Sequence, residues 1–119
     1  MKVEKISAIT LRVASMRTSV QFYRDVLGME IMYGGEDGYF SSLRTKDAKE
    51  PILNLEQGRA VTQWGGRLIF YVPDVDQFWR YLQEIGFEPE GPRDASWGER
   101  YFHMHDPDGH ELSFVRPLR

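Results

Sequence analysis

The sequence predicts an α+β fold made of two tandem βαβββ modules in a chain of 119 residues. One observation is the order of its segments: an alternating strand, an amphipathic helix that ends at a glycine and three short strand candidates occur twice. The other is a nearly constant offset, because Gly28 and Gly86 are 58 residues apart and Val13 and Val72 are 59 apart. An internal repeat of this kind indicates the architecture of the fold, so it is considered before any single motif.

The first module begins with a strand followed by a helix. Ile9, Leu11 and Val13 alternate with less apolar neighbours, which is the period of a half-buried strand. Ser15 is a suitable N-cap for the helix and Gly28 a suitable end. The apolar stripe of that helix is Met16, Val20, Tyr23 and Leu27. Strands are then expected at residues 30–33, 39–43 and 52–55.

The second module repeats this order. A strand is expected at 67–72, a helix capped by Asp74 and ended by Gly86, and strands near 87–90, 100–105 and 111–115. The motif HDPDG at 105–109 predicts a hairpin turn, because Pro107 fixes φ and Gly109 tolerates a positive φ. We expect one domain over 1–119, with module one at 1–56, a polar connector at 57–66 and module two at 67–119.

The composition excludes several classes of function. There are no cysteines, so disulfides and thiolate chemistry are excluded. Fifteen Lys and Arg are scattered among eighteen Asp and Glu, so neither a basic face nor a nucleic-acid partner is expected. No apolar run approaches the roughly 20 residues of a membrane-spanning helix. The amino-terminal segment alternates and does not resemble a secretory signal, so a cytoplasmic protein without a membrane partner is expected.

Three segments resemble the glyoxalase/bleomycin resistance/dioxygenase superfamily, also called the vicinal oxygen chelate superfamily. They are ITLRVASMRTSVQFYRDVLGMEI (9–31), LIFYVPDVDQFWRYLQEIGFEPEGP (68–92) and RYFHMHDPDGHELSFVRP (100–117). The resemblance implies that the modules form an open, curled barrel of mixed β-sheet, with the helices on its convex side and a ligand in its concave side. It also implies that two chains often associate as a homodimer.

The resemblance also locates the metal-ligand positions of the family, which are usually His or Glu. In this sequence those positions are occupied by Ala8, Asn54, Arg67 and Ser113. A methyl, an amide, a guanidinium and a hydroxyl are poor ligands for a divalent ion, and the fixed charge of Arg67 repels one. We therefore expect no metal at these positions and no cofactor. The alternative is a divalent ion relocated to His103 and His105.

His103 is the candidate for catalysis. It shares one strand face with Tyr101 and His105, because residues two apart in a strand point the same way. The resemblance aligns it with a tyrosine that contacts substrate in fosfomycin-resistance relatives. We therefore expect either ligand contact or acid–base catalysis by His103; the alternative is a hydrogen-bonded structural histidine.

Two arginines are candidates for holding an anion. The resemblance aligns Arg12 with an arginine that holds a substrate carboxylate in glyoxalase I relatives, and Arg67 is expected on the same concave surface. Two guanidinium groups there would favour a carboxylate or phosphate. The alternative is that each arginine pairs with an acid such as Glu56, Glu99 or Glu111.

Three aromatic residues outside the apolar stripes are candidates for the walls of a cavity. They are Tyr39, Trp64 in the connector and Trp97 in the loop SWGE. The alternative is that they cap the core or fill a dimer interface. The full set of expected ligand-binding residues is Arg12, Tyr39, Asn54, Trp64, Arg67, Trp97, Tyr101, His103 and Ser113.

Together these observations favour a metal-free protein that binds a small molecule, such as an antibiotic or an aromatic or anionic compound, as a homodimer. An enzyme is the alternative: a lyase, isomerase or dioxygenase of the same superfamily, acting without metal or with a relocated one and using His103 as acid or base. A third possibility is a protein-interaction module whose cleft is filled by side chains.

Overall fold

The computed structural model describes residues 1–2, 4–60 and 66–118, which form two compact units, Met1–Val61 and Thr62–Arg119. From here on, module one and module two denote these two units, which include the halves of the expected connector. The boundary between the units lies within the expected connector. No helix in the described part of the chain is long and apolar enough to cross a membrane.

Module one has the element order strand, helix, strand, strand, strand. Its elements are β1 (Ala8–Val13), α1 (Met16–Gln21), β2 (Glu30–Tyr33), β3 (Phe40–Arg44) and β4 (Ile52–Gln57). The strand order in the sheet is β1-β4-β3-β2, with β1 parallel to β4 and the other pairs antiparallel. The Ser15 hydroxyl caps α1 by accepting from the Thr18 amide, and a π-helical turn, Phe22–Val26, continues the helix.

Module two repeats that architecture. Its elements are β5 (Arg67–Tyr71), α2 (Val75–Glu84), β6 (Arg93–Asp94), β7 (Glu99–His105) and β8 (Glu111–Pro117). The strand order is β5-β8-β7-β6, and β5 is parallel to β8. Asp74 caps α2 by accepting from the Gln77 amide, and Gly109 has a φ of 94° in the turn before β8. The predicted α+β class with two tandem βαβββ modules is therefore confirmed.

One predicted strand is wrong. Residues 87–90 form no strand, and β6 lies further along the chain at Arg93–Asp94. Pro89 and Pro92 lack the amide hydrogen that a strand needs for pairing, which explains the displacement. The segment is attached to α2 instead, because Trp79 Nε1 donates to the Pro89 carbonyl at 3.4 Å.

In module one, the helix covers the sheet face that the strand pattern predicts. Val13, Leu43 and Leu55 on that face are completely buried. Gln57, the register partner of Val13, accepts a hydrogen bond from the Met16 amide at 3.0 Å, which connects this face to the start of α1. The other face is therefore free of the helix.

In module two, the face under the helix has an aromatic core. The ring of Phe114 lies 5.7 Å from Phe70, 5.0 Å from Phe78 on α2 and 5.1 Å from Phe102. Phe70, Phe114 and Phe102 are register partners on β5, β8 and β7. Their neighbours along each strand therefore point to the opposite, helix-free face.

The loop between β2 and β3 depends on a close approach of backbone at Gly34. Gly34 has a φ of +77°, and a Cβ there would lie 2.2 Å from the Phe40 carbonyl oxygen. Ser41 Oγ accepts from the Gly35 amide at 2.9 Å, which closes the loop. Arg24 donates to Glu36 at 2.6 Å and holds the pKa of that carboxyl below its usual value, so the loop is also tied to the first helix.

Candidate functional site

Each module has a helix-free sheet face, and several of the expected site residues lie on these two faces. The residues of face one, in module one, are Ala8, Thr10, Arg12, Phe40, Ser42, Asn54 and Glu56. The residues of face two, in module two, are Arg67, Ile69, Tyr71, Tyr101, His103, His105, Glu111 and Ser113. Register partners on neighbouring strands form rows across each face.

The central row of face one satisfies its own polar groups. Thr10, Asn54 and Ser42 are partners on β1, β4 and β3. Ser42 Oγ donates to Asn54 Oδ1 at 2.7 Å, and Asn54 Nδ2 donates to Thr10 Oγ1 at 3.3 Å. Both the oxygen and the nitrogen of the Asn54 amide are therefore hydrogen-bonded within the sheet. The main role of this side chain is to stabilise the sheet.

Arg12 forms an ion pair across the parallel strands of module one. Its Nε donates to Glu56 Oε2 at 3.1 Å, and Glu56 is its register partner on β4. Both side chains are more than a third exposed, so the pair is screened by solvent. The alternative that Arg12 pairs with an acid is therefore what the structure shows.

The central row of face two is different. Ile69, Ser113 and His103 are partners on β5, β8 and β7. Ser113 is only 3% exposed. Among the described residues, neither its hydroxyl nor the His103 imidazole forms a side-chain hydrogen bond. A serine hydroxyl next to a half-buried imidazole, both with hydrogen-bonding capacity to spare, can bind a polar group of a ligand.

His103 is held in its neutral form. Burial lowers its pKa first, and the positive charge of Arg67 lowers it further. At neutral pH the imidazole therefore has one nitrogen that donates and one that accepts.

Three rings lie in a row along β7 and the loop before it. Trp97 stacks on Tyr101 at 5.9 Å with an interplanar angle of 26°, and Tyr101 lies 5.1 Å from His103 with a tilted angle of 47°. The Trp97 indole donates to Glu99 at 2.9 Å, so its orientation is fixed although the side chain is 69% exposed. The Arg93 guanidinium lies 5.3 Å from the Tyr101 ring centroid. This arrangement, the aromatic row, is a preformed aromatic surface whose Trp97 end is open to solvent.

Arg67 forms the corresponding ion pair across the parallel strands of module two. Its Nε donates to Glu111 Oε2, and Glu111 is its register partner on β8. The Glu111 side chain is only 16% exposed, less than Glu56 in the pair of module one. His105 is the partner of Glu111 on β7, which places a histidine beside this ion pair.

The positions that the resemblance aligns with metal ligands do not fit a metal in either module. In module one they are Ala8, which has no ligand atom, and Asn54, whose amide is already bonded on both sides. In module two they are Arg67, a permanent cation, and Ser113, a neutral hydroxyl. Across residues 1–2, 4–60 and 66–118, no three His, Asp or Glu side chains are grouped to hold a metal ion.

The structure brings some of the expected site residues together and leaves others apart. Arg67, Tyr101, His103 and Ser113 share face two, and Trp97 stacks at its end. Arg12 and Asn54 lie on face one. Tyr39 precedes β3 and is 73% exposed, while Trp64 lies outside the described residues.

One residue near face two was not expected from the sequence, and a second has another partner than the one expected. Arg93 lies over Tyr101, and Glu99, which was considered as an acid partner for an arginine, accepts from Trp97. The strand alternation of β7 gives a signal for Glu99, because it has the parity of Tyr101 and His103. Arg93 could not be identified in this way, because the strand that contains it was expected at residues 87–90 and lies at Arg93–Asp94.

Comparisons with known proteins agree with this architecture. A Bacillus subtilis (strain 168) protein, the uncharacterized YraH, is 28% identical over 96% of this chain and 99% of its own length. The structure of lactoylglutathione lyase from Agrobacterium tumefaciens superposes with a TM-score of 0.78 at 18% identity, covering 96% of this chain and 94% of the lyase. TnmS3, an antibiotic binding protein from Streptomyces sp. CB03234, superposes with a TM-score of 0.75 at 23% identity, covering 98% of each chain.

Structural likeness at these identities demonstrates the fold alone. The sequence profile of one family, however, matches residues 5–114, which is nearly the whole chain. The chain belongs to the Glyoxalase/Bleomycin resistance protein/Dioxygenase superfamily.

Proposed function

We propose that this chain is a small-molecule-binding protein that works without a metal and holds its ligand against face two. The observation that carries the proposal is the aromatic row, in which Trp97 stacks on Tyr101 and Tyr101 contacts a tilted His103 beside the buried Ser113. The likeness to TnmS3 supports the class of function, because that relative in fold is an antibiotic binding protein.

The aromatic row favours a planar ligand. An indole that is 69% exposed leaves its ring free to stack, and its hydrogen bond to Glu99 fixes the ring before a ligand arrives. Binding to a preorganised surface loses less conformational entropy than binding to a mobile one. An aromatic pair contributes about 0.5–1.5 kcal/mol beyond the area that it buries.

The other end of face two favours a polar or anionic substituent on that ligand. Ser113 offers a hydroxyl, the neutral His103 offers one donor and one acceptor, and Arg67 supplies positive charge nearby. Polar groups placed in this way favour ligands that complete their hydrogen bonds over ligands that leave them unpaired. Aromatic carboxylates combine the flat ring with the acceptor group.

An enzyme of the lyase, isomerase or dioxygenase kind is the second candidate, and the environment of His103 favours it. Because burial and Arg67 lower the pKa of His103, the imidazole is available as a base at neutral pH. The two candidates differ under His103→Gln. A binding protein keeps most of its affinity and shows no turnover in either form, whereas an enzyme loses turnover while binding persists.

Assembly and location are part of the proposal. Ile69 and Tyr71 are 64% and 62% exposed on the edge strand β5, and a second copy of the chain that covered them would enclose a ligand on face two. We therefore propose a homodimer in the cytoplasm. Light scattering of the purified protein measures the oligomeric state, and cell fractionation measures the location. A monomer that binds the ligand at full affinity would contradict the proposed dimer.

The test of binding uses 2-naphthoate as the probe, with tryptophan fluorescence and calorimetry as readouts. Trp97→Ala is expected to weaken binding by about tenfold or more, because it removes a stacking wall. Trp79→Phe is the matched control, since Trp79 lies on α2 and bonds to Pro89, away from face two. If native protein and Trp97→Ala bind naphthoate and related aryl carboxylates equally, face two is not the ligand site.

A further inference from the structure

We propose that Arg67 decides which ligands face two accepts: by holding Glu111 it keeps divalent cations away from a latent site formed by His103, His105 and Glu111. This inference extends the proposed function. It depends on that function in one respect only, namely that face two is the surface that binds a ligand. It assigns a specificity-determining role to a residue whose family counterpart would bind the metal.

The three donor groups of the latent site are gathered by strand register. His103 and His105 are two apart on β7 and point to the same face. Glu111 is the register partner of His105 and the diagonal neighbour of His103, a separation that long side chains can span. Two imidazoles and one carboxylate are a common ligand set for zinc and other divalent transition metals. These are not the positions at which the family places its ligands.

The obstacle to a metal is the ion pair. The Glu111 carboxylate is turned toward Arg67 Nε, and in this arrangement no three donors among the described residues meet at a metal position. Because Glu111 is only 16% exposed, the attraction between the two charges is screened less than in an exposed pair. A guanidinium cannot lose its proton at physiological pH, so it cannot release Glu111 as a lysine could by neutralising.

The balance of charge around His103 leads to the same conclusion. Four charged groups act on this imidazole: Arg67 and Arg93 are positive, and Glu90 and Glu111 are negative. Removal of Arg67 leaves two carboxylates against one guanidinium, so the formal net charge of these groups changes from zero to negative. A negative field attracts a divalent cation, whereas the native balance does not.

Module one provides an internal control. Arg12 and Glu56 form the same kind of pair between the same two kinds of strand, but the third residue of their row is Phe40. All three histidines of the chain, at positions 103, 105 and 110, lie in module two. Releasing Glu56 therefore frees a carboxylate that has no imidazole beside it.

The experiment measures binding of Zn²⁺ at pH 7.5 by calorimetry, with melting temperature as a second readout because bound metal stabilises the folded state. Arg67→Ala is expected to bind Zn²⁺ about tenfold or more tightly than the native chain. Arg67→Met, which keeps the aliphatic stem and so protects the fold, is expected to behave in the same way. Glu111→Gln or His105→Ala in the Arg67→Ala background should abolish the gain, and Arg12→Ala should show none.

Two results would overturn the inference. One is native protein that binds Zn²⁺ within about threefold of both Arg67 variants, since Arg67 would then exclude nothing. The other is a gain that survives loss of Glu111 or appears equally in Arg12→Ala, because the metal would then lie elsewhere. Neither result bears on the binding of 2-naphthoate by the native chain, so failure here and failure of the proposed function are separate observations.

Discussion

Faces one and two have the same strand order and pairing directions, but they use their central rows in opposite ways. In module one, Thr10, Asn54 and Ser42 bond to one another and leave little polar capacity for a ligand. In module two, Ser113 and His103 make no such bonds with the described residues, and His103 continues into the aromatic row. The two modules share one topology but differ in this respect. A row whose polar side chains are hydrogen-bonded to one another stabilises the sheet, whereas a row whose polar side chains are not so bonded is a candidate binding site.

The faces under the helices also differ. Module one buries aliphatic side chains from its strands, whereas module two stacks Phe114 against three other rings. Larger side chains leave larger cavities when they are truncated. Matched substitutions in the two modules should therefore change stability by different amounts.

The largest effect is expected in the cores. Phe114→Ala should lower the free energy of unfolding by about 3–5 kcal/mol, and Leu55→Ala by about 2–5 kcal/mol, because both side chains are almost completely buried. Urea denaturation followed by circular dichroism measures both. A loss below about 1 kcal/mol at Phe114 would mean that the aromatic core relaxes around the cavity and is not tightly packed.

The next effect separates the two central rows. Asn54→Ala removes two hydrogen bonds and leaves Ser42 without its acceptor, so we expect a loss of about 1–3 kcal/mol. Ser113→Ala removes a hydroxyl that has no side-chain partner in the described part of the chain, so a change within about 0.5 kcal/mol is expected. If the two substitutions lower the free energy of unfolding equally in urea denaturation, the proposed difference between the two central rows is wrong.

A smaller effect distinguishes the two ion pairs. Arg12→Ala should change the free energy of unfolding by about 0–1 kcal/mol, because its pair with Glu56 is exposed. Arg67→Ala is expected to cost more, since Glu111 is better shielded from solvent. Unfolding in low salt and in high salt measures the difference: the contribution of Arg12 should vanish in high salt and that of Arg67 should persist.

The smallest effect is that of pH on one imidazole. Because burial lowers the pKa of His103 in the folded state, protonation favours the unfolded chain. Its contribution is fully present above the unfolded pKa, about 6.5, and is lost as the pH falls below that value. Asp76 and Glu36, whose pKa values are lowered by Arg100 and Arg24, lose their contributions only in the more acidic range below about pH 4.

Melting temperatures of the native chain and of His103→Gln at pH 7 and pH 5 measure this effect. The native protein should lose more stability than the variant between those two values. Equal losses would show that burial of His103 has no effect on the pH dependence of stability. In that case face two would not differ from face one in this property.

Much of the fold could be predicted from the sequence because its signals are local. Alternation fixes which strand residues face the helix, and Ser15 and Asp74 mark the helix starts by bonding to amides three residues later. The displaced β6 shows where local signals fail. Phe87 and its neighbours have the composition of a strand, but two prolines prevent pairing.

The candidate site could be predicted only in part. Parity alone places Tyr101, His103 and His105 together, but it does not give partners across strands. The pairing of Arg67 with Glu111 depends on register, which is a property of the folded sheet. The sequence therefore indicated which side chains belong to face two, and the contacts determined which of them are already occupied.

Gly34 limits which substitutions the surface of module one tolerates. It is exposed to solvent, yet any larger side chain would collide with the Phe40 carbonyl and would have to adopt an unfavourable φ. In a saturation mutagenesis experiment this surface position should be as intolerant as a residue of the hydrophobic core. Solvent exposure is thus a poor guide to mutational freedom wherever two backbone segments meet without room for a methyl group.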